Sequence, residues 1–277
     1  MKSIPILYAA FVINVVHIGM ALSKKSSRVC GSIQDETFNY FPLDAIFPRI
    51  VSGMRANLDD FSYQALITIK RKYCGGAIIH PRWVITAAHC VKEMKTYRMK
   101  VYYNILDRRD PYRFTYCRRV RDAFSHENKH YDVGLIKLKR TITKAHEMEL
   151  QPVRLGYLGD IVGRKAVLSG WGTTSGEDLV KSRYLQYMTM EVTDTETCMK
   201  YFGKLVKTNQ IICAKPIYQN ASVCFGDSGG PLVLSGTKDL IGVLSLGDRT
   251  CKSRATGFLN ASHVKSWVES KIAPDQI

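Results

Sequence analysis

Nine residues, Cys224-Phe-Gly-Asp-Ser-Gly-Gly-Pro-Leu232, constrain this chain more than any other stretch. They set one hydroxyl among three glycines and beside one carboxylate. Gly226, Gly229 and Gly230 carry no Cβ, so the backbone can turn tightly and a carbonyl group can approach the Ser228 oxygen without collision, leaving amide hydrogens free to bind it. A serine hydroxyl is a weak nucleophile until a base takes its proton, so the stretch calls for a histidine elsewhere, itself oriented by a carboxylate. Thr86-Ala-Ala-His89-Cys90 puts a histidine after an apolar, strand-like run. Tyr131-Asp132-Val-Gly-Leu-Ile-Lys-Leu138 opens a second such run with an aspartate. A turn that merely contains serine, or a histidine merely buried in a core, requires neither partner.

In this order, Thr-Ala-Ala-His-Cys, Asp-Val-Gly-Leu-Ile and Gly-Asp-Ser-Gly-Gly-Pro resemble the motifs of the chymotrypsin-like serine peptidases, and the resemblance runs from Ile50 to the C-terminus. The order His, Asp, Ser separates this family from the subtilisins and the α/β-hydrolases, which reach the same geometry differently. The resemblance implies an all-β fold of two six-stranded antiparallel β-barrels with a C-terminal α-helix. It also implies a serine endopeptidase that hydrolyses peptide bonds through an acyl-enzyme. Catalysis falls to His89, Asp132 and Ser228, the oxyanion hole to the amides of Gly226 and Ser228, and support of Asp132 to Ser245. Short β-branched runs from Phe61 to Ile69 and from Cys74 to Thr86, broken by Gly75-Gly76 and Pro81-Arg-Trp83, read independently as barrel strands.

The same resemblance assigns substrate binding to Ser222, Val223, Ser245, Leu246, Gly247 and Gly257. Ser245 to Gly247 matches the segment that pairs with the substrate backbone as an added strand. Ser222, six residues before the serine, takes the place of the pocket floor, where tryptic members carry an aspartate to compensate a desolvated Lys or Arg. A chymotrypsin-like preference for a large apolar residue before the cut bond is therefore expected. Trypsin-like specificity and a non-catalytic homologue that binds glycans or surfaces are the alternatives. Leu246 stands where tryptophan is usual, and Thr256 and Leu259 also depart from the family pattern.

Residues 1–22 read as a secretory signal peptide. The apolar run from Ile4 to Ile18 is shorter than the roughly 20 residues a bilayer requires, and Gly19-Met20-Ala21 offers small residues for cleavage. Residues 23–49 read as a propeptide and 50–277 as the peptidase domain. Ile50-Val-Ser-Gly53 resembles a mature N-terminus released by cutting after Arg49. The new amine of Ile50 would pair with Asp227 and thereby fix the Gly226 amide. The expected product is a secreted, extracellular, monomeric enzyme. Its partners are protein or peptide substrates, an activating trypsin-like protease and protein inhibitors.

Eight cysteines in an exported chain are disulfide candidates. The resemblance pairs Cys74 with Cys90, Cys198 with Cys213, and Cys224 with Cys251. Cys30 and Cys117 are left, and their pairing would tie the N-terminal segment to the domain; a free or intermolecular Cys30 is the alternative. Ala166 and Leu234 occupy positions where the family often has a further bridge.

The formal charge of +16 favours acidic or sulfated partners by long-range attraction, although runs such as Arg118-Arg119-Val-Arg121 and Lys137-Leu-Lys139-Arg140 read first as wet faces of half-buried strands. They form no nucleic-acid motif, so no nucleic acid is expected. No cofactor and no metal site is expected: Asp107 and Asp110 lack paired glutamates, and His126 and His130 lie in a polar loop. Asn220 and Asn260 begin sequons that the resemblance places near the pocket or in a packed strand, which disfavours glycans. Val264, Trp267, Val268 and Ile272 recur at helical spacing, with Ser262 as a candidate cap.

Overall fold

Every residue from Gln64 to Ile69 is buried, the polar Gln64 and Thr68 included, which a strand with one wet face would not be. Its alternate side chains serve two cores. Ala65, Ile67 and Ile69 point into one barrel, while Leu66 joins Tyr63 in the seam between barrels. The computed structural model describes Cys30 and residues 53–275, except 70–71, 111–115, 143–149, 158, 174–179, 207–209, 219–220, 249 and 253. The expected boundaries at 22/23 and 49/50, Arg49, Ile50 and Asn220 lie outside the described residues.

Among the described residues the strands are β1 (Met54–Arg55), β2 (Gln64–Ile69), β3 (Lys72–His80), β4 (Trp83–Thr86), β5 (Met99–Tyr103), β6 (Cys117–Ser125), β7 (Gly134–Leu138), β8 (Arg154–Leu155), β9 (Lys165–Gly170), β10 (Gln186–Thr193), β11 (Ile211–Pro216), β12 (Pro231–Leu234), β13 (Asp239–Leu246) and β14 (Thr256–Asn260). The first barrel closes in the order β2-β3-β4-β7-β6-β5. The second runs β9-β10-β11-β14-β13-β12 and closes where β12 pairs with β9; β1 extends it beside β10, and β8 lies parallel to β13. These are the two six-stranded antiparallel barrels expected. Period-two burial is clearest on β10, whose Gln186, Met188, Met190 and Val192 are buried between half-exposed neighbours. Burying such a side chain contributes about 1.5–3 kcal/mol. On β6, Val120 is buried while Arg119 and Arg121 face water.

A short helix α1 (Ala88–Val91) follows β4. Helix α2 (Thr195–Phe202) has no counterpart in the sequence reading; Asp194 caps it by accepting from the Thr197 amide at 2.8 Å. The C-terminal helix α3 (Lys265–Ile272) is entered through a 3-10 turn at Ala261–Val264. The cap there is Asn260, which accepts from the Ser262 amide at 3.0 Å, and not Ser262 itself. Ser262 is engaged elsewhere, its Oγ accepting from the Tyr157 amide. Val264, Val268 and Ile272 are buried as the spacing required, and Trp267 is only partly buried, packed against the same core.

Four disulfides hold this frame: Cys74–Cys90, Cys198–Cys213, Cys224–Cys251 and Cys30–Cys117, the last linking residues 87 apart. Ala166 and Leu234 stand opposite each other across β9 and β12, both fully buried, so packing fills the place of the bridge this chain lacks.

Candidate active site

Strand pairing brings His89 and Asp132 together. β4 and β7 are antiparallel neighbours with Thr86 opposite Gly134, so the residues just after β4 and just before β7 emerge at one end of the barrel. Asp132 Oδ2 lies 2.8 Å from His89 Nδ1, and Asp132 Oδ1 accepts from the His89 amide at 3.0 Å. Ser245 Oγ donates to the same Oδ2 at 2.8 Å. The hydrogen bond to Asp132 raises the His89 pKa above its ordinary value, against the effect of burial. Burial works against the Asp132 charge, but the hydrogen bonds from His89 and Ser245 outweigh it and hold the carboxyl below the usual range. The imidazole is thus fixed with Nδ1 toward the carboxylate and Nε2 turned away from it.

Ser228 comes from the other barrel. It lies just before β12, which pairs with β13 so that Pro231 faces Val243, and this puts Ser228 and Ser245 at the same strand ends. The Gly229 amide donates to Leu244 O at 2.9 Å, and the Gly75 amide of the first barrel donates to Ser228 O at 2.8 Å. Gly229 has φ +77, and a Cβ there would collide with Thr86 and Gly75, so only glycine lets the loop pass this close. Gly226 has φ +101. The amides of Gly226 and Ser228 have no acceptor among the described residues, which leaves two donors free beside the hydroxyl. No hydrogen bond joins Ser228 Oγ to His89 among the described residues; such contacts commonly tighten only when substrate binds.

His89, Val223, Cys224, Phe225, Ser228, Leu244, Ser245, Gly247 and Asp248 line a cavity of about 410 Å³. Ser222, Leu246 and Gly257 do not line it. Ser222 is buried with its Oγ directed at Val223 O, and Leu246 faces Gly257 across β13 and β14. Phe225 and Leu244 were missed by sequence reasoning, though Phe225 stands inside the glycine-rich motif and Leu244 one residue before Ser245. Asp248 is at the rim, where its carboxylate closes a local turn by accepting from the Thr250 hydroxyl and from the amides of Thr250 and Lys252.

Asp227 is 1% exposed. Its carboxylate accepts from the amides of Gly172 at 2.7 Å and Cys224 at 3.3 Å. Burial raises its pKa to about 6, and those two hydrogen bonds offset only part of the effect. A Cβ on Gly170 or Gly172 would collide with the carboxylate, so the turn around Trp171 is shaped to this buried acid. No side-chain cation accompanies it among the described residues.

Metal-ligand atoms cluster at Cys74, His89 and Cys90, but both sulfurs are already joined in a disulfide. Asp107 is paired with Arg183 at 2.8 Å, and His126 packs against the rings of Tyr131 and Trp267. Among the described residues no helix is long and apolar enough to cross a membrane.

The family described as Trypsin matches residues 50–268. Tonin of Rattus norvegicus is 30% identical over 240 residues, covering 80% of this chain and 88% of tonin. Chymotrypsin of Phaedon cochleariae is 30% identical over 233 residues, covering 80% of this chain and 82% of its own length. The solved structure of HL collagenase superposes with a TM-score of 0.69 at 29% identity, covering 80% of this chain and 98% of that one.

Proposed function

This chain belongs to the trypsin family of serine endopeptidases, and from that premise we propose how its cleft works. Ser228 Oγ attacks the scissile carbonyl while His89 Nε2 takes its proton, and the same proton then passes to the departing amine. Asp132 holds the imidazole in the productive tautomer and offsets the charge it acquires. The amides of Gly226 and Ser228 receive the oxyanion, each donor being worth about 3–4 kcal/mol in comparable enzymes. Water then releases the acyl group by the reverse sequence. The observation that carries this reading is the shared oxygen: Asp132 Oδ2 binds His89 Nδ1 and Ser245 Oγ at 2.8 Å each, with Ser228 on the wall of the same cavity.

The chain is made with a signal peptide at 1–22, secreted, and kept inactive by residues 23–49 until a trypsin-like protease cuts after Arg49. The four disulfides fit an extracellular enzyme. Buried Asp227 supports the activation step, because a carboxylate this covered gains most from a cation brought to it, and the new Ile50 amine is one. Protein inhibitors that occupy the cleft are further partners.

The residue before the cut bond is large and apolar. Val223, Phe225 and Leu244 give the cavity apolar walls, and Ser222, buried behind Val223 and off the cavity wall, brings no charge to it. A tryptic reading would rest on Asp248 at the rim, whose oxygens already close their own turn. The activated enzyme should therefore cleave amide substrates ending in Phe or Leu faster than those ending in Ala or Arg. Fastest turnover of the Arg substrate would assign tryptic specificity, and no turnover of any would favour the glycan-binding alternative.

A further inference from the structure

Lys181 is a half-buried cation that the reaction above does not use. It bridges Thr173 just after the turn that encloses Asp227. Its Cε and Cδ lie 3.7 and 3.9 Å from where a Cβ on Gly226 would stand, so the side chain runs along the loop that bears Ser228. Its Nζ lies 4.1 Å from the centroid of the Tyr73 ring on β3. Arg108 closes the group from the other side. Its Nε and Nη2 donate to Ser182 O at 2.6 Å and Lys181 O at 3.0 Å, and its guanidinium stands 5.7 Å from the same ring. The neighbouring Asp107 is committed to Arg183, and no carboxylate pairs with Lys181 among the described residues.

On the proposed reading a substrate added along Ser245–Gly247 lays its acyl side over Val223 and Gly247, which line the cavity, whereas Lys181, Tyr73 and Arg108 do not line it. The leaving-group side then departs from Ser228 the opposite way, over β3, whose Gly75 amide binds Ser228 O and whose Tyr73 carries the Lys181 ammonium. We propose that Lys181, backed by Tyr73 and Arg108, forms an anion-accepting subsite for an Asp or Glu side chain at the first or second residue after the cut bond.

The physical ground is a cation already drawn partly out of water with no carboxylate paired to it among the described residues; a substrate carboxylate supplies one, and an uncharged isostere does not. The proposal rests on the endopeptidase reading. It also carries a pH signature. Burial, then the Arg108 charge, lower the Lys181 pKa to about 8. The groups facing the ammonium are Tyr73 from β3 and Arg108 from the segment after β5, with the Arg183–Asp107 pair beyond; Glu177 and Asp178 lie outside the described residues. The site is charged below about pH 8 and loses its charge as pH rises through that value.

Matched quenched-fluorescence peptides test this, identical on the acyl side and carrying Glu or Gln at the first or second position after the bond. The quantity read is the Glu-to-Gln ratio of kcat/KM for the activated enzyme, in which other pH effects cancel. We expect a ratio of about ten at pH 6.5 that falls toward one at pH 9.5. Lys181→Met should bring it to about one at both pH values, and Lys181→Arg, which does not titrate, should hold it at both. A wild-type ratio near one at pH 6.5, or a ratio that survives Lys181→Met, overturns the subsite. Cleavage of neither peptide by wild type overturns the endopeptidase reading on which the subsite rests.

Discussion

Ser245 Oγ donates to Asp132 Oδ2 at 2.8 Å, so the carboxylate that orients the histidine of one barrel is held by a hydroxyl of the other. The two barrels therefore meet through the proposed catalytic machinery. A second link, the 2.5 Å bond from Ser169 Oγ to Gln64 Oε1, crosses the buried seam behind it.

The orientation of His89 has a measurable pH consequence. The base must be neutral to take a proton, and the bond to Asp132 raises its pKa above the ordinary value, so kcat/KM should fall on the acid side at a pH above about 6.5. Asp132→Asn removes that charge. It should move the acid limb to lower pH and cut kcat by about ten-thousand-fold, the cost of the wrong tautomer in a comparable triad. An unmoved limb in the pH–rate profile would separate Asp132 from His89.

Asp227 makes the uncut protein sensitive to pH in the opposite sense to an ordinary paired acid. Its folded pKa, about 6, lies above its unfolded value, so its contribution to stability is full below about pH 4 and is lost as pH rises through about 6. Urea unfolding of the uncut protein between pH 4 and 8 should show this loss, on the order of 3 kcal/mol, and Asp227→Asn should flatten it. After cutting, the same variant should be only weakly active because the Ile50 amine has no partner. An equal slope in wild type and variant would remove Asp227 from the account.

Asp275 clasps the C-terminus to the first barrel. Its carboxylate accepts from Trp83 Nε1 and pairs with Lys137 Nζ, both at 2.7 Å, and with Arg82 at 3.3 Å. Asp275→Ala should destabilise the protein by about 1–3 kcal/mol, read from thermal or urea unfolding, while Asp275→Asn, which keeps an acceptor for Trp83, should cost less.

The Cys30–Cys117 bridge gives the activation proposal a product with a definite form. Cutting after Arg49 should leave the N-terminal segment attached to the domain, so that electrophoresis shows one species without reductant and two with it. Cys30→Ala with Cys117→Ala should release the segment on cutting. Release from the wild type without reductant would contradict the tether.

Much of this was legible in the chain because the informative residues sit at strand ends. Apolar runs on β4 and β7 announce themselves, and once they pair, His89 and Asp132 must emerge together. The helix at the C-terminus follows from Val264, Val268 and Ile272. Helix α2 was missed because it is only eight residues long and its apolar side is narrow, with Cys198 buried and Phe202 partly buried beside it. The cavity walls were read incompletely for a related reason. A motif fixes which residues are near the serine, but side-chain direction on β13 depends on the register shift between Leu244 and Leu246, which leaves Leu246 off the cavity wall and Leu244 on it. Lys181 gave no signal at all, because its neighbours Tyr73 and Arg108 come from distant segments.

The central claim is that Ser228 and His89 act as one unit, and the most direct test is a kinetic cycle on the activated enzyme. Single-turnover and steady-state rates for Ser228→Ala, His89→Ala and the double variant should each fall by about a million-fold, with the double variant hardly slower than either single one. Losses that add on a logarithmic scale, or a Ser228→Ala enzyme that still turns over peptide bonds at a substantial rate, would contradict it.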